Sequence, residues 1–178
     1  MKDYIETKAA ILATSDIRLK DDYSNEIDSS KTIQDYITFL AEATTSGILY
    51  GIYNTNIIAC WREDLQGNNF LINAMNSSMN ILNSLKSRKF GIMPITITLF
   101  VGDIIWINSP RINIIGDFVK SAINIANQVS WYDSDCIITN FSNIDYLFFN
   151  FHFEKIEELN NQGSFYKINT DFREQAFA

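Results

Sequence analysis

The feature that most constrains this chain is its longest apolar stretch, Ile95 to Ile107. Thr96, Thr98, Gly102 and Asp103 interrupt it. It is therefore too short and too polar to cross a bilayer, which takes about 20 predominantly apolar residues as a helix. The stretch reads as a strand, with a bend predicted at Gly102-Asp103. No apolar leader stands at the start, where Met1-Lys2-Asp3-Tyr4 runs into mixed polar residues. A soluble, cytoplasmic protein that makes no membrane contact is expected.

The remaining elements fall around this strand. Ala9-Ala10-Ile11-Leu12-Ala13-Thr14 reads as a buried strand with Asp16 at its exit. Residues 20–30 are polar and acidic, a loop in which Ser29 or Ser30 caps a helix starting near Lys31. Ile33, Ile37, Leu40 and Ala41 recur at helical spacing, and Gly47 is the expected terminator. Ile48 to Tyr53 and Asn56 to Trp61, joined at Asn54-Thr55, form a hairpin pattern. After a polar turn from Asp64 to Asn69, the spacing of Phe70, Leu71, Ala74, Met75, Ser78, Leu82 and Leu85 predicts a long helix. Lys86, Arg88 and Lys89 suit its negative end, and Gly91 stops it. Pro110 marks a loop.

A third helix is predicted from about Gly116 to Val129, with Ile115, Val119, Ala122, Ile123 and Ala126 facing inward. Cys136 to Ile138, Tyr146 to Phe149 and Ser164 to Ile168 are expected as further strands. A sheet backed by helices, of the α+β kind, buries all these stripes together. With 178 residues the chain has room for a single domain, 1–178.

Charge and cysteine usage remove other classes. The net charge is -7 and no basic stretch tracks a phosphate backbone, which argues against nucleic acid as a partner. Cys60 and Cys136 lie far apart inside apolar runs, as buried reduced thiols would. The single histidine, His152, sits in Phe149-Asn150-Phe151-His152-Phe153 and reads as a strand residue, so no zinc cluster is expected.

A co-linear set of segments, spanning a core of about 8–168, carries a resemblance. Leu99-Phe100-Val101-Gly102-Asp103-Ile104 is similar to the strand of class III nucleotide cyclases that reads Gly-Ile-His-x-Gly-x-Val. At the proper distance, Gly116-Asp117-Phe118-Val119-Lys120-Ser121-Ala122 resembles the family's Gly-Asp-x-Val-Asn-x-Ala helix start. Ile11 to Ile17, ending in Asp-Ile, looks like the family's first strand. Residues 47–61 and 68–85 resemble its hairpin and the helix after it. The resemblance implies a ferredoxin-like, palm-type antiparallel sheet with helices on one face, assembling as wreath-like dimers with active sites at the subunit interface.

It also implies a site. Cyclising a nucleoside triphosphate drives the ribose 3′-oxygen onto the α-phosphorus, and two metal ions stabilise the charge that develops. Magnesium and manganese take oxygen ligands, supplied in this family by two aspartates and the backbone after the first. By resemblance Asp16 and the Ile17 backbone hold the first position, while the second aligns with Thr55, which has no charge for a dication. Asp21, Asp22, Glu26 or Asp28 are alternative carboxylates, though a solvated acidic loop accounts for them. The base-reading positions fall on Gly51 and Asn113. The transition-state Asn and Arg fall on Lys120 and Asn124, and an amide cannot grip phosphate bidentately as a guanidinium does.

Of these positions only Asp16 keeps its identity. The reading is a degenerate cyclase homology domain that acts by dimerisation, as a homodimer or with a related cyclase subunit, with nucleoside triphosphate sensing as a further use. Magnesium or manganese is implied only for an active enzyme. Two alternatives are an active divergent cyclase making a purine or pyrimidine 3′,5′-cyclic nucleotide, and an unrelated α+β interaction module.

Overall fold

The computed structural model describes residues 3–18, 26–44, 47–53, 56–87, 94–108, 113–129, 135–142, 151–159 and 161–169. Its centre is β1 (Tyr4–Thr14), paired antiparallel with β3 (Asn56–Arg62) on one side and β4 (Thr96–Ile107) on the other. β1 begins earlier than the apolar run because its first half, Tyr4 to Lys8, pairs with the far half of β4 from Ile107 to Asp103. β2 (Ile48–Tyr53) closes one edge as the hairpin partner of β3, and the junction Asn54-Thr55 lies outside the described residues. The order is β2-β3-β1-β4-β6-β8-β7, with β5 (Asn113–Ile115) paired to the end of β4. Here β6 is Cys136–Thr139, β7 His152–Lys155 and β8 Tyr166–Asn169. The expected strand at Tyr146 to Phe149 lies outside the described residues.

The architecture is α+β, as expected, with two refinements to an antiparallel sheet backed on one face. β4 and β6 run parallel, so the sheet is mixed. The helices divide between the faces because the strands at the centre are apolar on both. Ala10, Leu12, Ala59, Trp61, Ile97 and Leu99 pack under α1 (Glu26–Ala43) and α3 (Phe70–Ser87). Ala9, Ile11, Ala13, Ile58, Cys60 and Phe100 pack under α4 (Asp117–Gln128). Side chains alternate across a strand, so near-continuous burial along β1 from Ala9 to Thr14 requires a layer on each side.

Local boundaries differ from the predicted ones for physical reasons. α1 starts at Glu26 and not near Lys31, since an acidic residue type suits the positive end of a helix dipole. The turn from Asp64 to Asn69 is a one-turn helix, α2 (Glu63–Gln66), followed by a 3-10 turn over Gly67–Asn69. The basic end of α3 and Gly91 fall largely outside the described residues, as does Pro110. β4 runs unbroken through Gly102 and Asp103.

Gly102 has a packing role in place of the expected bend: a Cβ there would lie 2.5 Å from a ring carbon of Phe118 on α4. Gly47 likewise lets the chain after α1 approach the indole of Trp61, which an added Cβ would meet at 2.6 Å. Both thiols, Cys60 and Cys136, are free and buried.

Candidate functional site

Asp16 leaves the sheet where three elements converge. Ser15 holds the end of β1 against β4, its N–H donating to the Thr96 carbonyl at 2.8 Å while its hydroxyl accepts the Thr96 N–H at 3.1 Å. One residue on, the Asp16 N–H donates to Oδ1 of Asn127, in the last turn of α4, at 2.7 Å. The same Oδ1 accepts Nδ2 of Asn56 at 3.0 Å, and Nδ2 also donates to the Thr14 carbonyl at 2.7 Å. The Thr14 hydroxyl accepts the Ile57 N–H at 3.0 Å. Both protons of one amide and both lone pairs of another are therefore used. This neutral network ties the exit of β1 to the entry of β3 and the end of α4.

The network is buried where it is structural and open where it ends. Thr14, Ser15 and Asn56 are buried, whereas Asp16 is half-buried and Arg18 exposed. Ile17 turns its side chain into the core under α1 and α3, which fixes the backbone beside Asp16.

α4 shows how one amphipathic helix serves two ends of the molecule. Ala122, Ile125 and Ala126 are its buried stripe, with Val119 and Ile123 partly buried beside it. Burying Ile125 contributes about 1.5–3 kcal/mol. Ile115, expected to face inward, is instead 55% exposed, because it belongs to β5 and sits opposite Ile105 on the other face of the sheet. The hydroxyl of Thr98 donates to the Ala122 carbonyl at 3.0 Å and that of Thr96 to the Val129 carbonyl at 3.1 Å, pinning the helix to β4.

Lys120 and Asn124, four residues apart, share the exposed face of α4. They lie about 10.5 Å and about 4.5 Å along the axis from Asn127, at 1.5 Å per residue. Gly51 pairs with Ile58 just after a register shift in β2, and Asn113 opens β5 opposite Ile107. β3, β1 and β4 stand between those two strands. Thr55 lies outside the described residues, as do Asp21 and Asp22, while Glu26 and Asp28 fall within α1.

Asn56 and Asn127 carry no signal in the sequence that links them to Asp16, being 40 and 111 residues distant from it. Nor is there a signal for Arg62, whose buried guanidinium pairs bidentately with Asp64 and lies 4.3 Å over the Trp106 ring. Partial burial pushes the Asp64 carboxyl up, but hydrogen bonds from Arg62 and Thr7 and the Arg62 charge outweigh it and hold the group below its usual range.

Among the described residues the donor set at Asp16 offers one carboxylate beside amides and hydroxyls that hydrogen-bond to one another, which by itself does not suit a divalent ion. Among the described residues no group of three or more His, Cys, Asp or Glu converges to hold a metal. No helix among them is long and apolar enough to cross a membrane.

The sequence matches no family model and no curated protein. Solved structures do match. The adenylyl cyclase CyaB from P. aeruginosa aligns at TM-score 0.75 and 12% identity, over 96% of this chain and 97% of that one. The catalytic core of a rhodopsin-guanylyl cyclase with converted specificity, in complex with ATPalphaS, aligns at 0.73 and 16%, over 93% and 98%. The guanylate cyclase domain of RhGC from Catenaria anguillulae, in complex with GTP, aligns at 0.69 and 14%, over 93% and 98%. The chain has the fold of class III nucleotide cyclase catalytic domains, and an unrelated α+β architecture is set aside.

Proposed function

From the fold of class III cyclase catalytic domains, we propose that this chain is a degenerate nucleotide cyclase homology domain, working in the cytoplasm by dimerisation and nucleotide binding in place of turnover. The observation that carries the reading is the setting of Asp16, the retained metal position, whose backbone N–H is held by the neutral amide of Asn127. The resemblance adds Thr55 where a second carboxylate belongs and Asn124 where a guanidinium belongs. Removing one preorganised charge of this kind costs a barrier about 3–4 kcal/mol. Loss of a metal carboxylate and a transition-state cation together leaves little chemistry.

Two features support binding without turnover. Lys120 and Asn124 stand exposed on the first turns of α4, where a lysine acts as a point charge toward phosphate and an amide as a neutral donor. Related folds in complex with GTP and with ATPalphaS, and a dimeric guanylyl cyclase domain, give the precedent for nucleotide and second subunit. A homodimer, or a pairing with a related subunit that carries the missing charges, follows from a site split between chains.

The test is product formation from ATP, GTP, CTP and UTP with magnesium or manganese, alongside Asp16→Ala. No cyclic product is expected, whereas millimolar nucleotide is expected to raise the melting temperature by mass action. Turnover that Asp16→Ala abolishes would establish an active divergent cyclase and overturn the reading.

A further inference from the structure

The sheet face that α1 and α3 cover over Ala10, Leu12 and Leu99 continues beyond them. By alternation along the strands it runs on through Tyr4, Glu6 and Lys8 of β1 and Asp103, Ile105 and Ile107 of β4, then to Ile115 of β5 opposite Ile105. Among the described residues the exposed large hydrophobic side chains are Tyr4 at 38%, Ile115 at 55% and Leu65 at 61%. All three belong to elements that border this stretch. Leu65 is in α2, whose Asp64 N–H donates at 3.2 Å to the Thr7 hydroxyl, on the opposite face of β1 from Glu6 and Lys8. An open cavity of about 600 Å³ adjoins this stretch, lined by Glu6, Lys8, Glu63, Asp103, Ile115 and Asp117, among others.

Apolar side chains grouped on an uncovered sheet face mark a contact surface. Its charge selects the partner. Among the described lining residues Glu6, Glu63, Asp103 and Asp117 stand with a single cation, Lys8, so that part of the lining is negative. A second copy meeting this face through a two-fold axis would set the same carboxylates against each other, on chains of net charge -7. Its dimensions suit a helix: Tyr4 to Lys8 spans about 13 Å, and β1 to β5 about 10 Å. Two helical turns measure about 11 Å in length and about 10 Å in width.

We propose that this face docks a basic amphipathic helix of a partner protein. Its apolar stripe lies on Tyr4, Ile105 and Ile115, and its Lys or Arg residues lie over Glu6, Glu63, Asp103 and Asp117. The face occupies the Tyr4 end of β1, at the opposite end of that strand from Asp16, and reaches β5 and the start of α4.

The test titrates the full chain with three labelled synthetic helical peptides, followed by fluorescence anisotropy. One has a leucine stripe with lysines, one the same stripe with glutamates, and one lysines with serine in place of leucine. Binding of the leucine–lysine peptide is expected to weaken at least about tenfold in Glu63→Lys/Asp103→Lys, as for a desolvated charge contact. It is expected to be unchanged in Asp35→Lys/Glu42→Lys, which makes the same charge change on exposed positions of α1. The serine and glutamate peptides are each expected to bind at least about tenfold more weakly than the leucine–lysine peptide, since both the apolar and the charged contacts contribute. Ile115→Ser, an exposed single substitution, repeats the loss if the double variant does not fold, as judged by circular dichroism. Equal weakening by both charge reversals, equal binding of the serine peptide, or dissociation of a homodimer by Glu63→Lys/Asp103→Lys would each overturn the proposal.

Discussion

Oδ1 of Asn127 accepts the backbone N–H of Asp16 at 2.7 Å, joining the last turn of α4 to the strand exit 111 residues earlier in the chain. With the Asn56 amide on the same oxygen, it holds β1, β3 and α4 at a common point by neutral hydrogen bonding. Its removal gives the first prediction. Asn127→Ala leaves the Asp16 N–H and one proton of the buried Asn56 amide without their acceptor. The expected cost is about 1–3 kcal/mol, the desolvation penalty of a buried unpaired donor, read as a lower urea midpoint with an unchanged slope.

A second carboxylate should convert the neutral joint into an ion site. Thr55→Asp is expected to confer a manganese-dependent rise in melting temperature that the unaltered chain lacks. At an ion concentration of about 100 Kd, binding to the folded state adds about 2.7 kcal/mol. Equal manganese responses in both proteins would count against the second metal position that the resemblance assigns to Thr55.

Gly102 and Phe118 should show coupling. Gly102→Ala puts a methyl group 2.5 Å from the Phe118 ring, and overpacking of this kind costs about 1–3 kcal/mol. Phe118→Ala loses its own packing but removes the clash, so the double variant is expected to be more stable than the sum of the singles predicts. Chemical denaturation of the four proteins in a double-mutant cycle reads the difference.

The thiols should be silent and their burial visible as a pH effect. Burial pushes the Cys60 thiol up to about 12, with Arg62 pulling it down and Asp64 pushing it up by smaller amounts. The folded chain holds this proton where the unfolded chain, near 9.0, has lost it. Stability is therefore fully present below about pH 9 and falls as pH rises toward about 12. Burial raises Cys136 in the same direction. Urea midpoints at pH 8 and pH 10 are expected to fall in that order, with Cys60→Ala showing a smaller drop. A folded chain at pH 8 is expected to give no rapid reaction with an aromatic disulfide reagent.

The stripes of α3 and α4, the hairpin of β2 and β3, and the burial of Cys60 and Cys136 were all legible in the chain. Each depends on a periodicity or an apolar run that recurs within a few residues. Asp16 was legible as a position and not as an environment, because Asn56 and Asn127 reach it from two other elements. The start of β1 at Tyr4 was hidden for the same reason. Tyr4 to Lys8 is mixed in character and becomes strand only through pairing with Ile107 to Asp103.

What the sequence determined alone was therefore the order of the larger elements from β1 to β6, without α2 and β5, the α+β class, and the residue types at Thr55 and Asn124. Tertiary structure decided the division of helices between two faces, the parallel pairing of β4 with β6, and the amide joint around Asp16. It also decided which acidic and apolar side chains share the uncovered face at Tyr4. Periodicity reports which side of an element is apolar. It carries no information on which distant element that side meets, since hydrophobic burial has no direction of its own and polar partners are chosen only once the backbone has brought them within hydrogen-bond range.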